Sequence, residues 1–231
     1  MSRLGILVAL GVCRGVMAQE SPTPTPTLTP VETVSAAPMP SPTPPTRTVQ
    51  IRFVPPPMEG TISLGIFDEH GKLVRILHRE ARIDNFTTEA DSLSTTWDGK
   101  TDAGEDSPPG KYHARGYSVG ELKVQQFEQA DGSHGSDRVT VNLVENPLVN
   151  KTRPIIDLFV GSDSVGTFLK TSDGLPLFTL SQTPNAVNLS ISKNGKRTVD
   201  VWQSYGTNGM QFRVSSIDQI MEFDCGSFDL K

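Results

Sequence analysis

Residues 96–112 read Thr96-Trp97-Asp98-Gly99-Lys100-Thr101-Asp102-Ala103-Gly104-Glu105-Asp106-Ser107-Pro108-Pro109-Gly110-Lys111-Tyr112. Trp97 closes an alternating run, Leu93 to Trp97, and is large enough to anchor a small core. Asp98-Gly99 and Ala103-Gly104 each permit a tight turn, because glycine takes positive φ without steric cost. Asp98 is expected to cap backbone amides of its own loop, as Asx turns do. Pro109 fixes φ, and Gly110 releases the chain into a strand beginning near Tyr112. The stretch therefore predicts strand, long polar loop, strand.

The same texture extends upstream. Val49, Ile51 and Phe53 alternate with polar residues, and Ile62, Leu64 and Ile66 alternate with Ser63 and Gly65. Val74 and Ile76 flank Arg75. Period two predicts half-buried strands with one wet face. Asp68-Glu69-His70-Gly71 reads as a turn, so residues 61–78 are expected to form a β-hairpin. Tyr112 to Val119 is a further strand, and residues 78–90 hold few apolar positions at helical spacing.

Phe67-Asp68 with Gly71, Leu73-Val74-Arg75, then Trp97-Asp98-Gly99, Asp102, Gly104, Pro109-Gly110 and Tyr112 resemble, in order and spacing, the FlgD-type immunoglobulin-like domain. The resemblance covers about residues 48–120. It implies a β-sandwich of about seven strands with no catalytic site, in which Asp68, Gly71, Trp97, Asp98, Gly99, Gly104, Pro109, Gly110 and Tyr112 form the structural motif. That family is named for the flagellar hook-capping protein and also includes accessory modules of secreted bacterial proteins. The segments at residues 1–47 stand where the hook-capping protein has an assembly region, so a flagellar hook assembly role is an alternative only.

The second half, 123–231, carries short alternating runs at 138–144, 154–160, 167–171, 177–181, 187–192, 198–204, 211–215 and 219–224. Ser172-Asp173-Gly174, Lys193-Asn194-Gly195-Lys196 and Thr207-Asn208-Gly209 are turn signals. Asn-Gly between alternating runs predicts a hairpin over 187–204 with a type I′ turn. The fold class is therefore all-β: an immunoglobulin-like sandwich at 48–122, then a β-rich module at 123–231. The second module is expected as a small sandwich or a propeller-blade-like sheet; an alternative is a fragment of a larger β-propeller.

Residues 1–18 have the layout of a secretory signal: Arg3, ten apolar residues from Leu4 to Cys13, and Val16-Met17-Ala18. Ten residues are too few to span a bilayer, which takes roughly 20, and no other run approaches that length. Residues 19–47 form a Pro/Thr-rich linker holding nine of the 18 prolines, expected to stay solvated as a semi-stiff spacer. Loss of Arg3 and Arg14 with the signal would take the formal charge from -5 to -7. An acidic chain argues against nucleic acid as partner. Cys225 would then be the single cysteine, expected as a buried hydrophobe in a C-terminal strand.

Little in the chain points to chemistry. His70, His78, His113 and His134 lack metal-ligand spacing. Asp98, Asp102, Glu105 and Asp106 are a weak calcium candidate, because their spacing fails the twelve-residue calcium loop. Ser133, His134 and Asp137 lie together in a linker, which is not how a triad converges. Asn85, Asn150 and Asn188 begin glycosylation acceptor sequences. No nucleophile-elbow, phosphate-loop or dinucleotide motif is present, so no cofactor is expected. The reading is a secreted or extracytoplasmic, non-enzymatic protein that meets a protein or cell-envelope partner. The alternative is a carbohydrate-binding accessory module of a secreted hydrolase system. Trp202 is expected in the core; on an open face, Trp202 and Tyr205 would be contacts.

Overall fold

Ile62 to Phe67 are buried one after another, which requires a layer on each face of their strand. The computed structural model supplies both layers. It describes residues 47–128, 135–148 and 155–231. The expected signal peptide, the linker before Arg47, Ser133, His134 and the Asn150 sequon lie outside the described residues.

The described chain is all-β. Its strands are β1 (Val49–Phe53), β2 (Thr61–Asp68), β3 (Leu73–Ala81), β4 (Thr87–Thr88), β5 (Leu93–Trp97), β6 (Gly110–Val119), β7 (Lys123–Glu128), β8 (Arg138–Asn142), β9 (Ile155–Ser162), β10 (Thr167–Thr171), β11 (Pro176–Ser181), β12 (Val187–Lys193), β13 (Thr198–Tyr205), β14 (Asn208–Ser215) and β15 (Ile220–Leu230). Residues 78–90 form no α-helix; Ile83–Asn85 make one 3-10 turn. No helix among the described residues is long and apolar enough to cross a membrane.

Four antiparallel sheets result, ordered β1-β5-β4, β15-β6-β2-β3, β11-β10-β9-β8 and β12-β13-β14-β7. The first two face each other across a core of Ile51, Ile66, Trp97, Tyr112, Ala114 and Leu230, continued by Phe53, Ile62, Leu64, Phe86, Leu93 and Phe223. This is a seven-strand sandwich whose seventh strand, β15, comes from the far end of the chain. The strands β7 to β14 are thus inserted between β6 and β15. The last two sheets enclose a core that includes Val141, Leu158, Leu169, Val201 and Phe212. That core also takes in Phe67, Tyr117, Val119 and Ile220 from the back of the β15-β6-β2-β3 sheet. The wet face expected for β2 is therefore covered. The small residues Ser63 and Gly65 on it leave room: the Ser63 hydroxyl accepts the Glu80 N–H at 3.1 Å, and a Cβ on Gly65 would lie 2.7 Å from Leu73.

The expected boundary at residue 122 coincides with the loop between β6 and β7, but contacts cross it. β15 pairs with β6 along its whole length, from Ile220 opposite Val119 to Leu230 opposite Gly110. A bulge at Cys225, with Gly226 at φ +85°, lets the strand run six residues past the end expected at Asp224.

Local turns follow their chemistry with two exceptions. The 61–78 hairpin forms, its turn closed by Asp68 and by Gly71 at φ +77°. The 187–204 hairpin also forms, but Asn194 lacks the positive φ of a type I′ turn; only Gly195 has it, in a wider loop closed by Asn194 N–H to Thr198 C=O at 2.9 Å. The turn expected at 207–209 lies earlier. Tyr205 faces Asn208 directly, leaving Gly206-Thr207 as a two-residue loop with Gly206 at φ +61°.

Candidate functional site

Three surfaces bring polar side chains together. The first is built by the motif residues. Trp97 is fully buried, donates from Nε1 to the Lys100 C=O at 2.8 Å and packs edge-on against Tyr112. The Tyr112 hydroxyl donates to the Pro108 C=O at 2.7 Å. Asp98 Oδ1 accepts the Lys100 N–H at 3.1 Å, and Gly99 and Gly104 sit at φ +75° and +81°. Asp68 Oδ1 accepts two N–H groups, from His70 and Lys72, each at 2.9 Å. The 68–72 turn and the 101–111 loop then line one open cleft of about 590 Å³, which includes Pro109 and Gly110.

The acidic residues of that loop do not converge on a point. Asp102 Oδ1 accepts the Ile76 N–H at 3.0 Å, while Asp102 N–H donates to Val74 C=O at 3.2 Å. The loop so adds itself to the edge of β3, and Arg75 reinforces it by donating to the Thr101 C=O at 2.8 Å. Asp106 faces Lys100 at 3.8 Å. Among the described residues no group of three or more His, Cys, Asp or Glu side chains is placed to hold a metal ion. His70 is exposed in its turn.

The second surface was missed by sequence reading. His113 on β6 lies 3.0 Å through Nδ1 from the Ser227 hydroxyl on β15 and 3.2 Å through Nε2 from Asp224. The three come from strands paired in register, His113 opposite Ser227. Period two showed His113 on one face of its strand, but the pairing that supplies Ser227 spans more than a hundred residues. Asp224 is 58% exposed, so water screens its charge. These residues lie on an open sheet face, not in the cleft above. Cys225 beside them is half-buried, and burial followed by the nearby Asp224 charge raises its thiol pKa, so it stays protonated at neutral pH.

The third surface is the outer face of the β12-β13-β14-β7 sheet. The expectation for Trp202 is corrected here. Val199 and Val201 take the core positions of β13 together with Gln203, and Trp202 lies half-buried on the opposite face. Cross-strand register aligns Ser190, Trp202, Gln211 and Phe127 in one row and Ser192, Asp200, Arg213 and Gln125 in the next. Phe127 is 40% exposed. Arg213 donates to both oxygens of Asp200 at 2.8 and 3.2 Å, and Asn194 donates to the same carboxylate at 2.8 Å. Burial alone would raise the Asp200 pKa; the hydrogen bonds from Arg213 and Asn194 outweigh it and hold the carboxyl below its ordinary value. The Arg213 guanidinium lies 5.3 Å from the Phe127 ring centre. Tyr205 is exposed at the hairpin tip, outside this row.

Two further arginines join the inserted strands to the sandwich. Arg115 on β6 sits over the Phe67 ring and pairs with Asp173 in the β10–β11 turn. Arg79 on β3 sits 4.3 Å over Phe168 and donates to Asp163 at 2.7 Å. Compared with known proteins, the chain matches no family model, no curated protein and no solved structure.

Proposed function

We propose that the chain is a non-enzymatic binding protein: an immunoglobulin-like sandwich of the FlgD type, carried on the Pro/Thr-rich linker in an extracytoplasmic compartment, that presents an inserted β-module to a cell-envelope or protein partner. The observation that supports this reading most is the Arg115–Asp173 and Arg79–Asp163 pairing, each stacked on an aromatic ring. It fixes the inserted strands to the sandwich, while the side of the β12-β13-β14-β7 sheet that carries Trp202 and Phe127 lies away from the shared core. Rigid presentation of such a face favours binding, since less ordering is required on association.

The Ser227–His113–Asp224 chain is the natural rival, as a hydrolytic centre. A nucleophile of that type needs a concave, water-poor site with donors for the developing oxyanion. These three side chains stand on the adjacent paired strands β6 and β15, with Ser227 and Asp224 exposed to water. The test is twofold. The full chain is incubated with a fluorophosphonate probe and chromogenic esters, and separately with isolated cell-envelope material. Envelope retention with no Ser227-dependent labelling or turnover is expected. Labelling abolished by Ser227→Ala, or no retention, would overturn the reading.

A further inference from the structure

We propose that the outer face of the β12-β13-β14-β7 sheet is a platform for a neutral, hydroxyl-rich glycan chain, with the Trp202 and Phe127 rings as stacking surfaces and Gln211 between them as the hydrogen-bonding group. The inference rests on the binding reading above and names its ligand class.

Trp202 on β13 and Phe127 on β7 occupy the same cross-strand row, with Gln211 of β14 between them. Strands in a sheet are about 4.8 Å apart, so the two side chains leave the sheet at points roughly 9.5 Å apart. That is about the span of two pyranose rings in an extended chain, so alternate sugars could each meet an aromatic face. Sugar rings carry C–H groups on one face, which suit the negative face of an aromatic ring. Their equatorial hydroxyls need donors and acceptors close by, and a Gln amide supplies both.

Charge selects among ligands. The one guanidinium in the middle of the face, Arg213, is matched by Asp200 through two hydrogen bonds. What remains around the rings is neutral: Gln125, Gln211, Ser190 and Ser192. Among the described residues Lys123, two rows from Phe127, is the one unmatched cation on this face. A single exposed charge gives an anionic surface little hold and a polybasic partner none, whereas a neutral polyol finds complementary groups around the rings.

The test is affinity electrophoresis of the full chain in gels containing β-glucan, xylan or mannan, with pull-down on insoluble cellulose and chitin. Retardation or retention by at least one is expected, persisting in 0.5 M salt, as a contact without net charge should. Trp202→Ala and Gln211→Ala should each weaken it about tenfold or more. Gln211→Ala removes no core atom, and unchanged thermal melting shows that the fold survives. Two outcomes overturn the proposal: no interaction with any of the five polysaccharides, or interaction that both variants leave unchanged. Loss of polysaccharide binding with envelope retention intact defeats only the glycan assignment. Loss of both defeats the binding reading as well.

Discussion

At the residue scale, Trp97 is the bulkiest fully buried side chain among the described residues. It touches Tyr112 and Phe228, lies in the cluster with Leu230, and fixes the loop after it through the Lys100 carbonyl. Trp97→Ala should destabilise the fold by about 3–5 kcal/mol. Trp97→Phe keeps much of the burial but leaves that carbonyl unmatched, and should cost less. Urea melts of both variants check the order. Gly116 is a second sensitive position. A Cβ there would lie 2.4 Å from the Phe223 ring and 2.8 Å from the Ser63 carbonyl oxygen. Gly116→Ala should lose about 1–3 kcal/mol through overpacking.

His78 carries a pH dependence. Its ring is half-buried, stacks near Phe86 and sits 2.8 Å from the Thr95 hydroxyl. Burial lowers its pKa below the ordinary 6.5. The unfolded chain therefore binds more protons than the folded one just below that value. The stability tied to a neutral His78 is full above about 6.5 and falls as pH drops toward its folded value. Urea midpoints measured between pH 7.5 and pH 5, in wild type and His78→Asn, should show a decline that the variant flattens.

At the scale of elements, hairpins were legible and sheets were not. The 61–78 and 187–204 hairpins follow from short-range signals: a glycine at positive φ and alternation on both sides, with a capping aspartate in the first. The motif loop was legible for the same reason, and Trp97, Asp98, Gly99 and Tyr112 occupy the roles that their chemistry suggests. Alternation says that β13 has two faces, but not which is covered. Val199-Val201-Gln203 and Asp200-Trp202-Ser204 compete, and two valines decided against one tryptophan because a second sheet needed a smooth face. The pairing of β15 with β6, and with it the Ser227–His113 contact, has no local signature at all. The Arg115–Asp173 pair that joins turn to sheet can be measured directly. A double-mutant cycle with Arg115→Met and Asp173→Asn should return a coupling of about 1–2 kcal/mol, and a value near zero would show that burial alone holds the elements together. Asp163 offers an acid-side check. Burial pushes its carboxyl up, but the Val165 and Gly166 N–H groups and Arg79 hold it below 3.8. Its contribution is therefore complete above that value and is lost as pH falls further.

For the whole molecule, insertion of β7 to β14 between β6 and β15 makes the sandwich depend on both ends of the described chain. Arg47 donates to the Lys231 carbonyl at 2.7 Å and to that of Ser107 at the same distance, so the two ends meet beside the motif loop. Residues 48–122 expressed alone lack β15 and leave Tyr112, Ala114 and Phe53 without their cover. That piece should give no cooperative thermal transition, whereas residues 47–231 should melt in a single step by circular dichroism. Two separate transitions in the longer chain would show that the shared core around Phe67 and Tyr117 does not couple the halves.

Synthesis order adds a constraint of its own. A ribosome delivers Trp97 long before it delivers Phe228 and Leu230, and roughly 130 residues, the inserted strands β7 to β14 among them, emerge in between. Until that last segment clears the exit tunnel, the indole and its neighbours have no lid, and the half-built layer exposes a row of unpaired amides along β6. Translation therefore holds the sandwich open until β15 has emerged, and any factor that must bind it unfolded has that interval in which to do so.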